Sequence, residues 1–287
     1  MLSAIRSGIS LPIYNAMING APLAMLPNST LNQKLNILPD VNDGPFAYPV
    51  IDYYAIGAGD AEPYIGASGA MTIRQKQHES TDAAPFRQRP FVLRKLNQDL
   101  TPEERKNFRL RNIITVGSDQ YWAYWLRKLS PATLPPTHDY ITIDQNNRRS
   151  EPLVWNPSTA AFDPVGRTLS TTGVNVINKE LITSTVPREI TWGEFERNEY
   201  LNVARILYND EAEAIIGDIA IVAGRERKIS APTGNGGASV MIDECILATV
   251  MAWISKSYDA YRGGTFEATF KSSIEEPVFA SGVIPLK

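Results

Sequence analysis

The sequence predicts an α+β fold, with an antiparallel β-rich body, a C-terminal helix–strand–helix–strand unit and an extended N-terminal arm. Three observations predict it. Phe108–Leu129 holds two runs of β-branched and aromatic residues joined by Gly117-Ser-Asp-Gln120, the pattern of an antiparallel hairpin. Thr191-Trp-Gly-Glu194 has the spacing of a capping box and opens a run with helical apolar periodicity. The N-terminal and middle stretches break short apolar runs with Pro, Asn, Ser and Thr, as arms and meanders do. The chain accordingly divides into an arm over 1–45, a β-rich body over 46–135, a β meander or insertion over 136–190 and an α/β unit over 191–287.

In the arm, Leu11–Ile18 and Ala21–Leu26 flank Asn19-Gly20. Asn-Gly between apolar runs signals a hairpin, because both central residues of a type I′ turn need positive φ. Pro12 and Pro22 would make that hairpin an edge or a stand-alone arm. In the body, Tyr48–Ile56 and Pro90–Arg94 read as strands, with turns at Gly57-Ala-Gly-Asp60 and at Gly66–Ala70. Neither glycine cluster is followed by the lysine of a phosphate loop, nor by a helix. Thr101-Pro-Glu-Glu104 is a helix start with proline at the first helical position.

On the first run of the central hairpin, Phe108, Leu110, Ile114 and Val116 fall on one face and Arg109, Arg111 and Thr115 on the other, Ile113 being the exception. The second run, Tyr121–Leu126, is apolar on both faces and needs cover on both. Beyond it, Tyr140–Asp144, Pro152–Trp155 and Gly173–Ile177 read as strands. In the C-terminal unit, a helix to about Tyr208 carries Phe195, Val203, Ala204, Ile206 and Leu207 on one face. A buried strand over Ala214–Gly224 follows, then a helix over Ser239–Tyr258 with Asp243 and Glu244 in its first turns, and a last strand around Phe266–Phe270.

Composition excludes more than it names. The net charge is −3, with 43% hydrophobic and 21% charged residues, ordinary values for a globular chain. The charge is uneven: Arg87–Lys128 holds ten Lys or Arg against four Asp or Glu, hence +6, leaving −9 elsewhere. A nucleic-acid face is one reading of that excess, and a solvated strand face is the favoured one. A single cysteine, Cys245, allows no internal disulfide and suits a buried small hydrophobe. Two histidines, His78 and His138, give a histidine-based metal site or catalytic triad little to draw on. Ser118-Asp119 with His138 has the letters of a hydrolase without its strand–turn–helix context. Gly234–Ser239 resembles an anion cradle but lacks a basic residue. Glu275-Glu276 reads as solvated. No catalytic residue, cofactor, metal or small-molecule substrate is expected, and no apolar window is long enough for a membrane-spanning helix.

Aromatics and arms of this kind serve core and subunit contacts. The contact candidates are Ile13, Tyr14, Met17, Trp122, Tyr124 and Trp125. The strings PIYNAMINGAPLAML within Leu11–Leu26, YYAIGAGD at Tyr53–Asp60, the hairpin of Phe108–Leu129, GDIAIVAG at Gly217–Gly224 and EPVFAS at Glu276–Ser281 resemble virion structural proteins of tailed bacteriophages, especially baseplate or neck components of contractile tails. That resemblance implies a non-enzymatic, wedge-like or ring-forming subunit, assembled in the host cytoplasm. Its partners would be other virion proteins and copies of itself, with nucleic acid an unexpected one. The alternatives are a neck or head–tail connector, or a nucleic-acid-binding module using residues 87–128.

Overall fold

The computed structural model describes residues 4–20, 30–37, 48–65, 67, 69, 71–131, 133–144, 147–154, 162, 179–232 and 239–277. The elements are β1 (Ala4–Arg6), α1 (Ser10–Asn19), α2 (Leu31–Lys34), β2 (Val50–Gly57), β3 (Ala61–Ile65), β4 (Met71–Gln75), β5 (Gln88–Arg89), β6 (Val92–Lys95), α3 (Pro102–Arg105), β7 (Phe108–Val116), β8 (Asp119–Lys128), β9 (Ser130–Pro131), β10 (Thr137–Asp144), β11 (Asn147–Pro152), β12 (Lys179–Trp192), α4 (Glu194–Tyr208), β13 (Ile215–Pro232), β14 (Ser239–Asp259) and β15 (Phe266–Pro277). Every strand pairing with a described register is antiparallel, and the fold is α+β.

The chain forms two compact units, divided differently from the four segments the sequence suggests. The first unites residues 1–129 with 191–266, and the second unites 130–190 with 267–287. The first unit is built on a sheet ordered β1-β14-β13-β2-β8-β6, with β5 on β2 and β7 on β8. The second holds a sheet ordered β11-β10-β12-β15, with β9 on β12.

Two expectations are corrected here. Ser239–Tyr258 is not a helix but β14, paired with β13 from Ile215↔Asp259 to Pro232↔Ser239. Three register shifts interrupt that ladder, near Ile216/Asp218, Ile221/Val222 and Ala223/Arg225, and each slips the side-chain phase. A strand with several bulges loses the period of two that identifies it. At the third bulge Leu247 takes φ 56°, and the Asn32 side chain clasps the spare backbone groups. Asn32 Nδ2 donates to the Cys245 carbonyl at 2.8 Å, and its Oδ1 accepts from the Ala248 N–H at 2.8 Å.

The other correction concerns the arm. Leu11–Ile18 is helix α1, and Gly20, at φ 62°, closes it with its N–H on the Ala16 carbonyl. Asn-Gly had signalled positive φ rightly, but a left-handed helix terminus uses the same conformation as a hairpin turn. Ile13 packs with Ala223 and Met251, with Ile9, Tyr14, Met17 and Ile51 around them, so α1 lies on the body. β1 pairs with β14, and α2 sends Leu31 into the core beside Tyr53, Leu126 and Trp253. The described part of residues 1–45 is thus folded against its own chain, and Ala21–Leu26 lies outside the described residues.

Most of the remaining elements follow their sequence signals, but the strand expected over Pro152–Trp155 does not form at Leu153 and Val154. The capping box of α3 forms, with Thr101 Oγ1 and the Glu104 carboxylate satisfying each other's backbone N–H. α4 starts two residues later than Thr191 suggests. Its cap is Gly193, whose N–H donates to Glu196 Oε2 at 2.8 Å. It buries Glu199, Tyr200, Val203 and Ala204, while Phe195, Ile206 and Leu207 are half-buried. Tyr140–Asp144 lies in β10, Pro152 ends β11, and Gly173–Ile177 lies outside the described residues.

Candidate functional site

Hairpin β7–β8 turns on Gly117-Ser118 alone, with Val116 opposite Asp119 and Gly117 at φ 62°. Glycine at the first central position is what a type II′ turn takes. β8 is flanked by β7 along one edge and by β6 and β2 on the other. Trp122 and Tyr124 are 5% and 1% exposed, and Trp125 is half-buried, donating from Nε1 to Asn112 Oδ1 at 2.7 Å. Arg111 stacks over the Trp122 ring at 4.0 Å. The Tyr124 hydroxyl bonds to Asp99, and burial together with that carboxylate pushes its pKa up to about 12. The cover that β8 needs comes from this chain, so Trp122 and Tyr124 serve its core and present almost no surface to another subunit. Ile13 is buried too, whereas Tyr14 and Met17 are half-buried beside it.

Most of the basic residues of 87–128 pair with carboxylates of this chain. Arg89 pairs with Glu213, Arg94 with Glu199, Arg105 and Arg111 with Asp99, Arg109 with Glu226, and Arg127 with Glu196. Lys128 reaches Asp52 at 3.1 Å and Glu226 at 3.2 Å. Burial raises the Glu226 carboxyl, but the Arg109 and Lys128 contacts outweigh it and hold the pKa below the usual value. Bulges near Phe108/Leu110 and Leu110/Arg111 turn Arg109 inward beside Phe108 and Leu110, against the simple alternation of the sequence. These paired cations build the fold.

One exposed apolar surface lies on β3–β4. These two strands pair only with each other among the described residues, from Ala61↔Gln75 to Ile65↔Met71. Alternation puts Pro63, Ile65, Met71 and Ile73 on one face of this ribbon and Glu62, Tyr64, Thr72 and Arg74 on the other. The polar face is internally satisfied: Arg74 Nε donates to Glu62 Oε1 at 2.7 Å, and its guanidinium lies 4.6 Å from the Tyr64 ring centre. The apolar face is bare. Ile65 is 65% exposed, Met71 73% and Ile73 80%. A two-stranded ribbon is marginally stable without a third strand or a cover.

The ribbon rises from a tightly built base. Gly57-Ala-Gly-Asp60, one of the glycine clusters, lets the backbone cross Gly217 at close range. A Cβ on Gly217 would stand 2.5 Å from the Ala58 carbonyl oxygen and 2.6 Å from Gly59 Cα. Gly59 itself has φ 73°. Gln75, at the ribbon's end, donates to the Gly217 carbonyl. Below, buried Asp218 accepts from the Gly59 and Phe86 N–H groups at 3.1 and 2.9 Å. His78 lies between Asp218 and Asp82, with Nε2 at 2.6 Å and Nδ1 at 2.8 Å from the two carboxylates. Its ring is stacked between Phe86 and Trp253, each centroid 3.9 Å away. His78 is therefore a structural rivet that fixes the loop after β4 to the sheet.

Other sequence candidates disperse. Asp119 pairs with Lys95 at 3.2 Å beside Ser118, while His138 belongs to β10 of the second unit. Glu244 pairs with Arg227 at 2.7 Å across β13–β14. Glu275 is exposed and pairs with Arg148. The glycine loop at 233–238 lies outside the described residues, and Ser239 after it starts a strand. Cys245 is fully buried, and burial pushes its thiol pKa up. The ribbon had one sequence signal, the alternation of Ala-Glu-Pro-Tyr-Ile with Met-Thr-Ile-Arg-Gln around a glycine-rich turn, which the phosphate-loop question obscured.

Fold and site together define an α+β protein that carries an amphipathic β-ribbon on a close-packed sheet. A family model described as a family of unknown function, DUF7208, matches residues 3–285, and the chain belongs to that family. No curated protein and no solved structure matches it. No helix among the described residues is long and apolar enough to cross a membrane.

Proposed function

We propose that this chain is a non-enzymatic structural subunit of a tailed-phage virion, placed in the tail baseplate and joined to its neighbours through exposed β surface. The observation that carries the assembly role is the bare apolar face of β3–β4, bonded at its base to Gly217 and, among the described residues, unpaired at both outer edges. Covering large aliphatic side chains contributes about 1.5–3 kcal/mol for each one fully buried. Ile65, Met71 and Ile73 keep most of that gain in reserve. The virion and the baseplate rest on the resemblance of the sequence strings to contractile-tail components. Against the nucleic-acid alternative stands the pairing of Arg89, Arg94, Arg105, Arg109, Arg111 and Arg127 with carboxylates of this chain.

The test is to purify phage particles that carry the gene for this chain and cross-link them, with Ile73→Asp as the variant. The chain is expected among the cross-linked virion proteins, with its contacts centred on residues 61–75, and the variant is expected to drop out of the particle. Particles without the chain, or particles that take up Ile73→Asp as readily as the parent, would overturn the proposal.

A further inference from the structure

We propose that a cavity between α3, the start of β7 and β14 binds a small organic monocarboxylate, with its acid group on Arg105 and its hydrocarbon body on the apolar lining. This goes beyond the assembly role and does not depend on it.

The cavity holds about 280 Å³, just under the usual range of about 300–1,000 Å³ for ligand sites, so its ligand is small. All of its walls belong to the first unit. Phe108, Arg109, Leu110 and Arg111 line it together, although a regular strand sends alternate residues to opposite faces. The two bulges in this part of β7 break that alternation and bring cationic and apolar groups to one place. Arg105 comes from α3, and Met241 and Ile242 of β14 add apolar surface. Cations beside hydrocarbon suit an anion with an apolar body.

The charge count sets the sign and the number. Arg105 and Arg111 both lean on a single carboxylate, Asp99, whose side chain is 9% exposed. Asp99 Oδ2 accepts from Arg105 at 2.9 Å and from Arg111 at 2.8 Å. Its Oδ1 accepts from the Leu100 N–H at 2.8 Å and from the Tyr124 hydroxyl. Four donors fill a carboxylate. Arg105 Nε, buried and without a hydrogen-bond partner among the described residues, therefore has nothing left to take from Asp99. Two cations against one anion leave this cluster one positive charge in excess, and a buried charge without its counterpart is costly.

The other charged residues of the lining are answered elsewhere. Arg109 pairs with Glu226, Lys106 with Glu103 and Glu244 with Arg227, while Asp243 stands opposite Lys228 in the β13–β14 ladder. A single added carboxylate supplies both the missing acceptor and the missing charge, and its planar oxygens match a guanidinium.

Hexanoate serves as the probe, titrated into the ¹⁵N-labelled full chain and followed by amide shifts. Saturable shifts centred on residues 105–111 and 240–244 are expected. Hexylammonium, which has the same tail and the opposite charge, should bind at least about tenfold more weakly, and so should acetate and inorganic phosphate, which lack the tail. Arg105→Met should weaken hexanoate at least about tenfold, the usual worth of a charge-assisted hydrogen bond. Met241→Glu gives a second variant at a position 65% exposed, where the fold tolerates a charge and circular dichroism checks it. It sets a carboxylate in the lining and should also weaken hexanoate at least about tenfold. No saturable shift with hexanoate, equal binding of hexylammonium or phosphate, or undiminished binding by folded Met241→Glu would each overturn the inference.

Discussion

Two of the hairpins, β7–β8 and β3–β4, have opposite fates. β7–β8 is aromatic, apolar on both faces of its second strand, and buried, because β2, β6 and the core around Leu31 and Trp253 close over it. β3–β4 is shorter and less apolar, yet it bares Ile65, Met71 and Ile73, because nothing in the described chain lies across it. The greasier hairpin is thus the internal one. Apolar content tells how much cover a strand needs, while the surrounding topology tells whether the chain itself provides it.

Truncation within the buried hairpin should produce the largest effect. Trp122→Ala empties a site 5% exposed and is expected to cost about 3–5 kcal/mol, read as a lower midpoint in urea unfolding. A loss below about 1 kcal/mol would mean that the side chain is less enclosed than its surroundings indicate.

Next is the bulge of β14, on which the sheet beside both hairpins depends. Asn32→Leu removes the side chain that bonds the Cys245 carbonyl and the Ala248 N–H, leaving buried backbone groups unmatched. The expected cost is about 1–3 kcal/mol, with faster amide exchange centred on residues 245–248. Unchanged exchange there would show that the bulge holds without its clasp.

The ion pairs behind β7–β8 give a smaller effect with a definite sign. The folded-state pKa of Glu226 is lowered, so its contribution is present above the ordinary carboxylate pKa and fades as pH falls through the folded value. Glu226→Gln should flatten that part of the acid side of the stability profile, and an unaltered acid limb would remove Glu226 from the account. For Tyr124, raised to about 12 chiefly by burial and the Asp99 contact, stability is present below the ordinary tyrosine pKa and is lost as pH rises towards the folded value.

The smallest effect on folding belongs to the exposed hairpin. Ile73→Ser should change stability by less than about 0.5 kcal/mol, as for other surface positions. A loss of several kcal/mol would show that the ribbon's apolar face is needed by its own chain, and the contrast between the hairpins would collapse.

Much of the first unit was legible in the sequence. The hairpin at Phe108–Leu129, the strand at Val50–Gly57, the box of Thr101 and Glu104 and helix α4 each announced themselves through short-range rules. β14 did not, since its bulges erase alternation and its partner strand, not its composition, makes it a strand. α1 was hidden by an Asn-Gly pair whose positive φ serves two structures equally. The ribbon's alternation was visible in the letters, but its exposure was not. Apolar character alone points to Trp122, Tyr124 and Ile13 as contact residues, and the core claims all three.

The sequence by itself determined where the backbone could turn, which strands would be apolar on one face or both, and where helices could begin, because these depend on φ preferences, capping and side-chain period within a few residues. Only the tertiary structure decided that Arg109 and Arg127 face carboxylates, that Asn32 clasps a bulge more than two hundred residues away, and that Ile65, Met71 and Ile73 stay bare. Burial and charge pairing are properties of neighbours, and in a sheet the neighbours come from distant parts of the chain.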